Sequence, residues 1–72
     1  MNRDVSNSAR LTKRQSMILQ RISEGKSTAR IAVELCVSER TVSWHLNRIY
    51  RVLEVRGRQE AMVAGQRLGL IS

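Results

Sequence analysis

The segment SERTVSWHLNRIYRVLEV, residues 38–55, is the feature that most restricts the fold of this chain. Four of its apolar residues recur at intervals of four, three and four positions, which are the intervals of one helix face and not of a β-strand. These residues are Val42, Leu46, Ile49 and Leu53. On a wheel of about 100° per residue they lie within roughly 40° of Val42. The segment is therefore predicted to form a helix over about 39–53 that packs on a core through this stripe.

The opposite side of this predicted helix is polar and basic around a single tryptophan. It carries Arg40, Trp44, Asn47 and Arg51 at about 140–200° from the stripe, with Ser43 and Arg48 at its flanks. Arginine matches the O6 and N7 edge of guanine in the major groove, and asparagine matches the N6 and N7 edge of adenine. Trp44 could contact a thymine methyl or the sugar–phosphate wall, or instead cover a neighbouring helix or a protein partner. This face is predicted to bind a partner, with DNA as the first candidate.

Capping residues divide the rest of the sequence into three further helices. Thr12 and Gln15 have the spacing of a capping box that starts a helix over about 13–24. Ser27 and Ser38 can cap a short second helix and the long third one. A fourth helix is predicted over about 58–68. The residues expected to face the core are Ile18, Leu19, Ile22, Ile31, Ala32, Leu35, Ala61, Met62, Gly65 and Leu68.

The order of these elements indicates an all-α fold with a helix-turn-helix. Alternating strand patterns are absent, and the chain has one tryptophan, one tyrosine and no proline. The sequence predicts a short helix, then a brief turn at Cys36–Val37, then a longer helix with outward Arg and Asn residues. This is the arrangement of a DNA-binding helix-turn-helix. Many other helical hairpins share this pattern, so it does not identify DNA by itself.

Composition favours a polyanionic partner and argues against an enzyme. Thirteen Lys and Arg residues against six Asp and Glu give a net charge of +7 and a pI near 11.4, which favours nucleic acid. The nine-residue separation of Cys36 and His45 is not a metal-ligand spacing, and no phosphate loop or supported nucleophile is present. No cofactor or metal is expected. A single cysteine, and the lack of a signal peptide or membrane span, predict a cytoplasmic location.

Helix N-termini offer a second way to bind DNA, through phosphate contacts that do not depend on the base sequence. Free amides at Ser27–Thr28 and near Thr41 could bind phosphate oxygens, although plain capping explains the serines equally well. His45 falls at about 300° on the wheel, at the flank of the core. It is predicted to be partly buried with its hydrogen bonds satisfied, and a hydrogen bond to phosphate is the second interpretation.

Four motifs in order resemble the LuxR-type (GerE/FixJ-type) helix-turn-helix domain of bacterial transcription regulators. They are LTKRQ, GKSTARIAVEL, SERTVSWHLNRI and RQEAMVAGQRLGLI. The resemblance covers Leu11 to Ile71. Three departures stand out: Gln15 replaces a usual glutamate, whose charge could have paired with a base such as Arg58, Ser43 stands where lysine is frequent, and Trp44 is unusually large.

The resemblance implies a four-helix bundle whose third helix enters the major groove of an inverted repeat, as a homodimer formed through the fourth helix. Double-stranded DNA and a second copy are the implied partners, and RNA polymerase is a further candidate. By position, base contacts would come from Arg40, Ser43, Trp44 and Asn47, and the outer face adds Arg51. Phosphate contacts would come from Ser27, Thr28, Thr41, His45 and Arg48. The dimer contacts would come from Val63, Ala64 and Arg67.

The predicted organisation is a flexible tail or linker remnant over 1–10 and a DNA-binding domain over 11–72. The chain is either a short stand-alone regulator or a domain of a longer one, and Met1 favours the first. Two other functions stay open: a protein-interaction module that pairs through helix four, and a fragment like region four of a sigma factor, against which the GLI ending argues. In a bacterium, such a protein would act in the cytoplasm at the nucleoid.

Overall fold

Four α-helices make up residues 11–71, the part of the chain that the computed structural model describes. Their bounds are α1 Lys13–Ser23, α2 Thr28–Leu35, α3 Glu39–Leu53 and α4 Arg58–Arg67. No strand occurs in these residues, so the predicted all-α class and helix order are confirmed. Helices α1 and α4 each end one residue earlier than predicted. The predicted tail, 1–10, and Ser72 lie outside the described residues.

Side-chain hydroxyls start the first three helices. Thr12 Oγ1 accepts from the Gln15 amide at 3.1 Å, and Gln15 Oε1 accepts from the Thr12 amide at 3.0 Å, which completes the predicted capping box. The hydroxyls of Ser27 and Ser38 accept from the third amide of α2 and α3, each at 3.0 Å. Helix α4 follows Gly57 without a side-chain cap. Local sequence thus sets three of the four starting points.

Two non-glycine residues in the left-handed conformation end α2 and α3. Cys36 and Glu54 both have a φ of 58°, a conformation that costs a residue with a Cβ about 1–2 kcal/mol. After each of them the chain closes an i to i−5 hydrogen bond, from Val37 N to the Ala32 carbonyl at 3.0 Å and from Val55 N to the Tyr50 carbonyl at 2.9 Å. These closures turn α2 sharply into α3 and α3 into the loop before α4.

Helix α3 is the centre of the bundle, because it packs against each of the other three helices while α1 also packs against α4. The buried hydrophobic residues are Ile18, Leu19, Ile22, Ile31, Ala32, Val42, Leu46, Ile49, Ala61 and Ile71. The predicted α3 stripe is therefore buried as far as Ile49, and Leu53 packs at its edge, as do Leu35 and Met62.

The end of α4 corrects one core prediction. The sequence pattern predicts that Leu68 faces inward, but Leu68 is 58% exposed. The reason is that α4 ends at Arg67 and the chain reverses at Gly69, which has a φ of +74°. Ile71, only 8% exposed, fills the core in its place. Gly65 permits this packing, since a Cβ there would lie 3.1 Å from Leu19 Cδ2 and 3.2 Å from Ile71 Cδ1.

Candidate nucleic-acid interface

The outer side of α3 forms a continuous exposed surface opposite the core. We call it the reading face, and it consists of Arg40, Ser43, Trp44, Asn47 and Arg51, all exposed. Arg48 is exposed beside it. Val42 and Ile49, on the other side of the same helix, are fully buried. The predicted separation of a core face from an outer face is therefore confirmed.

The three arginines on or beside the reading face form no ion pair with any residue that the structure describes. Within residues 11–71, none of Arg40, Arg48 and Arg51 has a carboxylate within 4.0 Å. Their charges therefore face solvent along one side of a single helix. Such an arrangement attracts a polyanion and leaves the guanidinium donors open to it.

Trp44 is stacked rather than loose. The Arg48 guanidinium lies over its ring, with Cζ 4.9 Å from the ring centroid, which is a cation–π distance. The His45 ring meets it edge-on, at 5.0 Å between centroids and 77° between planes. Sequence reasoning missed this cluster, although the spacing of four residues between Trp44 and Arg48 allows such a contact on any helix.

His45 is half-buried, as predicted, but its hydrogen bonding is not satisfied. Its Nδ1 atom is buried with no hydrogen-bond partner among the described residues, so that part of the prediction is wrong. Burial lowers the pKa of His45 below its usual 6.5, and the positive charges of Arg14 and Arg48 lower it further. The imidazole is therefore neutral at neutral pH. It can offer a phosphate an N–H group but no charge.

The N-terminus of α3 is less open than the sequence suggested. The Thr41 amide donates to Ser38 Oγ at 3.0 Å, and Thr41 Oγ1 accepts from the same hydroxyl at 3.0 Å. The free amides expected near Thr41 therefore do not include the Thr41 amide itself. The reason is local, because the Ser38 cap accepts from the third amide of the helix. The amides before it in α3, those of Glu39 and Arg40, are the ones that the cap does not use.

The N-terminus of α2 carries a cation that sequence reasoning did not place there. Arg58, at the start of α4, donates from Nη1 to the Lys26 carbonyl at 2.8 Å and from Nη2 to Thr28 Oγ1 at 3.4 Å. The guanidinium thus lies beside Ser27 and Thr28, the two predicted phosphate contacts. The contact spans about thirty residues of sequence, so only the packing of α4 could have indicated it.

Glu34 gathers three other basic residues away from α3. Its carboxylate accepts from Arg21 Nε at 2.9 Å, Lys26 Nζ at 2.9 Å and Arg30 Nε at 3.1 Å. The hydrogen bonds from Lys26 and Arg21, followed by the weaker contribution of Arg30, lower the pKa of Glu34 to about 2. This cluster ties α1 and the following loop to α2. It also neutralises part of the basic charge outside the reading face.

The three predicted dimer residues share a groove on α4. It has a volume of about 460 Å³ and is lined by Val55, Gln59, Glu60, Val63, Ala64 and Arg67. Val63 is 58% exposed, and Glu60 and Arg67 are exposed with opposite charges. The groove thus combines an apolar centre with one acidic and one basic side chain.

Other site types find little support in the described residues. Over 11–71, no group of three His, Cys, Asp or Glu side chains is placed to hold a metal ion. None of the helices there is both long and apolar enough to cross a bilayer.

Comparison with known proteins gives one consistent result. The family model of the bacterial regulatory proteins of the luxR family, GerE, matches residues 9–64. A quorum-sensing-dependent transcriptional regulator, RpaR of Rhodopseudomonas palustris, is 44% identical over 62 residues, which are 86% of this chain and 26% of RpaR. The transcriptional regulator AlkS of Pseudomonas putida is 34% identical over 61 residues, 85% of this chain and 7% of AlkS. The chain thus spans only a small part of these two relatives.

A solved structure shows the same fold. The transcription factor GerE superposes with a TM-score of 0.84 at 36% identity, over 92% of this chain and 97% of the GerE chain. The relatives are transcriptional regulators and not enzymes. The chain therefore belongs to the luxR family of bacterial regulatory proteins, as a helix-turn-helix DNA-binding domain of a transcriptional regulator.

Proposed function

We propose that this domain inserts α3 into the major groove of double-stranded DNA and reads the base sequence of an inverted repeat as a homodimer. The observation that carries the proposal is the reading face, where exposed arginine, asparagine and serine side chains stand opposite the buried stripe of the same helix. Guanidinium and carboxamide groups there have no competing carboxylate among residues 11–71, so base edges can accept or donate the hydrogen bonds of these groups. In a bacterial cell this function would be exercised at the nucleoid, and RNA polymerase is a further proposed partner.

The residues divide into two kinds of DNA contact. Arg40, Ser43, Trp44, Asn47 and Arg51 are proposed to face the bases. Ser27, Thr28, Thr41, His45 and Arg48 are proposed to face the phosphates. For Ser27 and Thr28, the proposal is supported by Arg58, which brings a positive charge to the same helix end. For Thr41, contact through the side chain is proposed, because the Thr41 amide already donates to Ser38. For His45, the proposed contact is a hydrogen bond from an uncharged N–H group, because burial lowers the pKa of the imidazole.

The α4 groove is proposed to form the dimer contact. Val63 and Ala64 lie among its lining residues, and Glu60 and Arg67 lie two turns apart on the same helix. In a two-fold arrangement of antiparallel α4 helices, Glu60 of one copy can face Arg67 of the other, and the pair then forms twice. The apolar residues between them supply the buried centre that a dimer interface needs.

Selection of duplexes from a random library tests the DNA-binding proposal. The full chain is incubated with the library at near-physiological salt, and bound duplexes are recovered and sequenced. The expected result is an enriched inverted repeat with a fixed half-site spacing. Binding without enrichment, weak and steeply salt-dependent, would show that α3 holds DNA without reading it.

The dimer is tested separately, by sedimentation on the selected duplex. Val63→Arg places a charge in the α4 groove and is expected to convert two-copy binding to one-copy binding. Val33→Arg is the matched control, because Val33 is also an exposed valine, at 71%, but lies on α2. If two copies of the Val63→Arg protein bind each duplex with wild-type affinity, α4 does not form the dimer interface.

A further inference from the structure

Trp44 is a large apolar ring that the fold leaves exposed within the reading face. Its exposed fraction is 54%, although burying a tryptophan gives one of the largest hydrophobic gains of any side chain. Arg40 and Asn47, each about one turn away on the same side of α3, are exposed as well. The fold thus places one apolar surface among hydrogen-bonding groups, at the position that would meet the base pairs.

The orientation of this ring is set before any partner binds. Arg48 covers the ring at 4.9 Å from its centroid, and His45 meets it edge-on at 5.0 Å. Both neighbours belong to α3, so the cluster moves with the helix as one unit. A side chain that is already ordered loses less conformational entropy on binding than a free one. The exposed part of the indole is therefore a preorganised apolar plate.

The major groove offers one apolar group to such a plate. The edges of adenine, guanine and cytosine carry only hydrogen-bond donors and acceptors there, whereas thymine also carries a C5 methyl group. Contact with the sugar–phosphate wall would read no sequence directly. A protein partner would have to accept the uncompensated arginines that surround the ring. Among these partners, the thymine methyl matches the apolar ring and its position best.

We propose that Trp44 is a specificity-determining residue that reads the C5 methyl of a thymine, and that Arg48 is a positioning residue that holds the indole for this contact. The inference rests on the proposed function, because it requires α3 to lie in the major groove. It assigns to Trp44 a chemical group on the DNA, which the family membership does not do. Removing one contacted methyl is expected to weaken binding about fourfold.

The test compares thymine with deoxyuridine, which differs only by the missing methyl. Two random duplex libraries are prepared, one with thymine and one with deoxyuridine at every such position. Wild-type protein is expected to enrich a site with a fixed thymine in each half-site, and to bind it about fourfold more weakly for each contacted methyl removed. Trp44→Ala is expected to bind both forms equally. Val33→Ala is the control, because Val33 is also an exposed apolar residue. This variant should keep the wild-type ratio of affinities for the thymine and deoxyuridine forms.

The outcomes separate this inference from the proposed function. If wild-type protein enriches no sequence from either library, both proposals fail. If it enriches a site but binds the thymine and deoxyuridine forms equally, Trp44 does not read a methyl while sequence recognition stands. The same conclusion follows if Trp44→Ala keeps the wild-type ratio. Circular dichroism of each variant checks that the helices are intact, and Trp44→Phe, which keeps a ring, is expected to keep part of the ratio.

The positioning role of Arg48 has its own readout. A phosphate contact alone predicts that Arg48→Ala weakens binding to both forms by the same factor. A positioning role predicts in addition that the thymine-to-deoxyuridine ratio falls toward one. Trp44 is the only tryptophan, so the fluorescence of the protein reports on its indole ring. In Arg48→Ala without DNA, this fluorescence should be quenched more strongly by acrylamide than in the wild-type protein. An unchanged ratio and unchanged quenching in Arg48→Ala would overturn the role, and Arg48→Lys should rescue part of the ratio.

Discussion

Neighbouring residues of α3 serve different purposes because each position is rotated by about 100° from the last. Leu46 is only 6% exposed and belongs to the core, whereas Asn47 beside it is exposed on the reading face. The two side chains are therefore expected to affect different properties. Leu46 is expected to contribute to the free energy of unfolding, and Asn47 is proposed to contribute to the free energy of DNA binding.

Substitution of these two residues by alanine tests that division. Asn47→Ala is expected to reduce affinity for the selected duplex by about 1–3 kcal/mol, because a bidentate contact to a base is lost, with little change in stability. Leu46→Ala is expected to lower the free energy of unfolding by about 2–5 kcal/mol through a lost core contact. Duplex titration and urea denaturation measure the two quantities. If Asn47→Ala loses the same affinity for selected and for random duplexes, Asn47 contacts the sugar–phosphate backbone of DNA and not a base.

At the scale of the element, α3 depends on the cap that starts it. Ser38 accepts from the Thr41 amide and donates to the Thr41 hydroxyl, so one hydroxyl organises the first turn. The turn before it is closed by Cys36 in the left-handed conformation. The direction in which α3 leaves α2 is thus set by two adjacent local features.

Loss of this cap is expected to destabilise the domain. Ser38→Ala should lower the free energy of unfolding by about 0.5–2 kcal/mol, because the Thr41 amide loses its acceptor. Ser43→Ala is the matched control, since Ser43 is an exposed serine inside α3 that makes no capping bond, and alanine is the better helix former. Urea denaturation of the three proteins measures the difference. Equal stability of Ser38→Ala and Ser43→Ala would show that the cap contributes nothing measurable.

At the scale of the whole molecule, charge is distributed unevenly. Glu34 holds Arg21, Lys26 and Arg30 in one cluster that joins α1 to α2. The arginines of the reading face have no such partner among the described residues. Some basic residues of the domain therefore form ion pairs within it, whereas the arginines of α3 are proposed to bind an external anion.

This cluster makes stability depend on pH in a defined range. The folded-state pKa of Glu34 is lowered from 4.5 to about 2, so the folded state favours the ionised carboxylate. Its stabilisation is complete above pH 4.5 and is lost as the pH falls toward 2. Thermal midpoints of the wild-type protein should fall through this range more than those of Glu34→Gln. Glu39→Gln removes a carboxylate outside the cluster and should keep the wild-type slope, and parallel curves for wild type and Glu34→Gln would contradict the prediction.

The local chemistry of the sequence was sufficient to place the helices and the reading face. Thr12, Ser27 and Ser38 start their helices as predicted, because a cap acts on amides only a few residues away. The α3 stripe predicted both the core side and the outer side of that helix, because helical periodicity links sequence position to direction. The family motifs added the bundle architecture, since each motif marks one element of it.

Tertiary structure decided what depended on contacts between distant residues. Ile71 fills the core and Leu68 does not, because the chain reverses after α4. Arg58 reaches the start of α2, and Glu34 binds Arg21 of α1, across separations that no local pattern encodes. The buried Nδ1 of His45 depends likewise on how the helices pack around it. Local periodicity determines which way a side chain points, whereas the packing of the four helices determines what it meets.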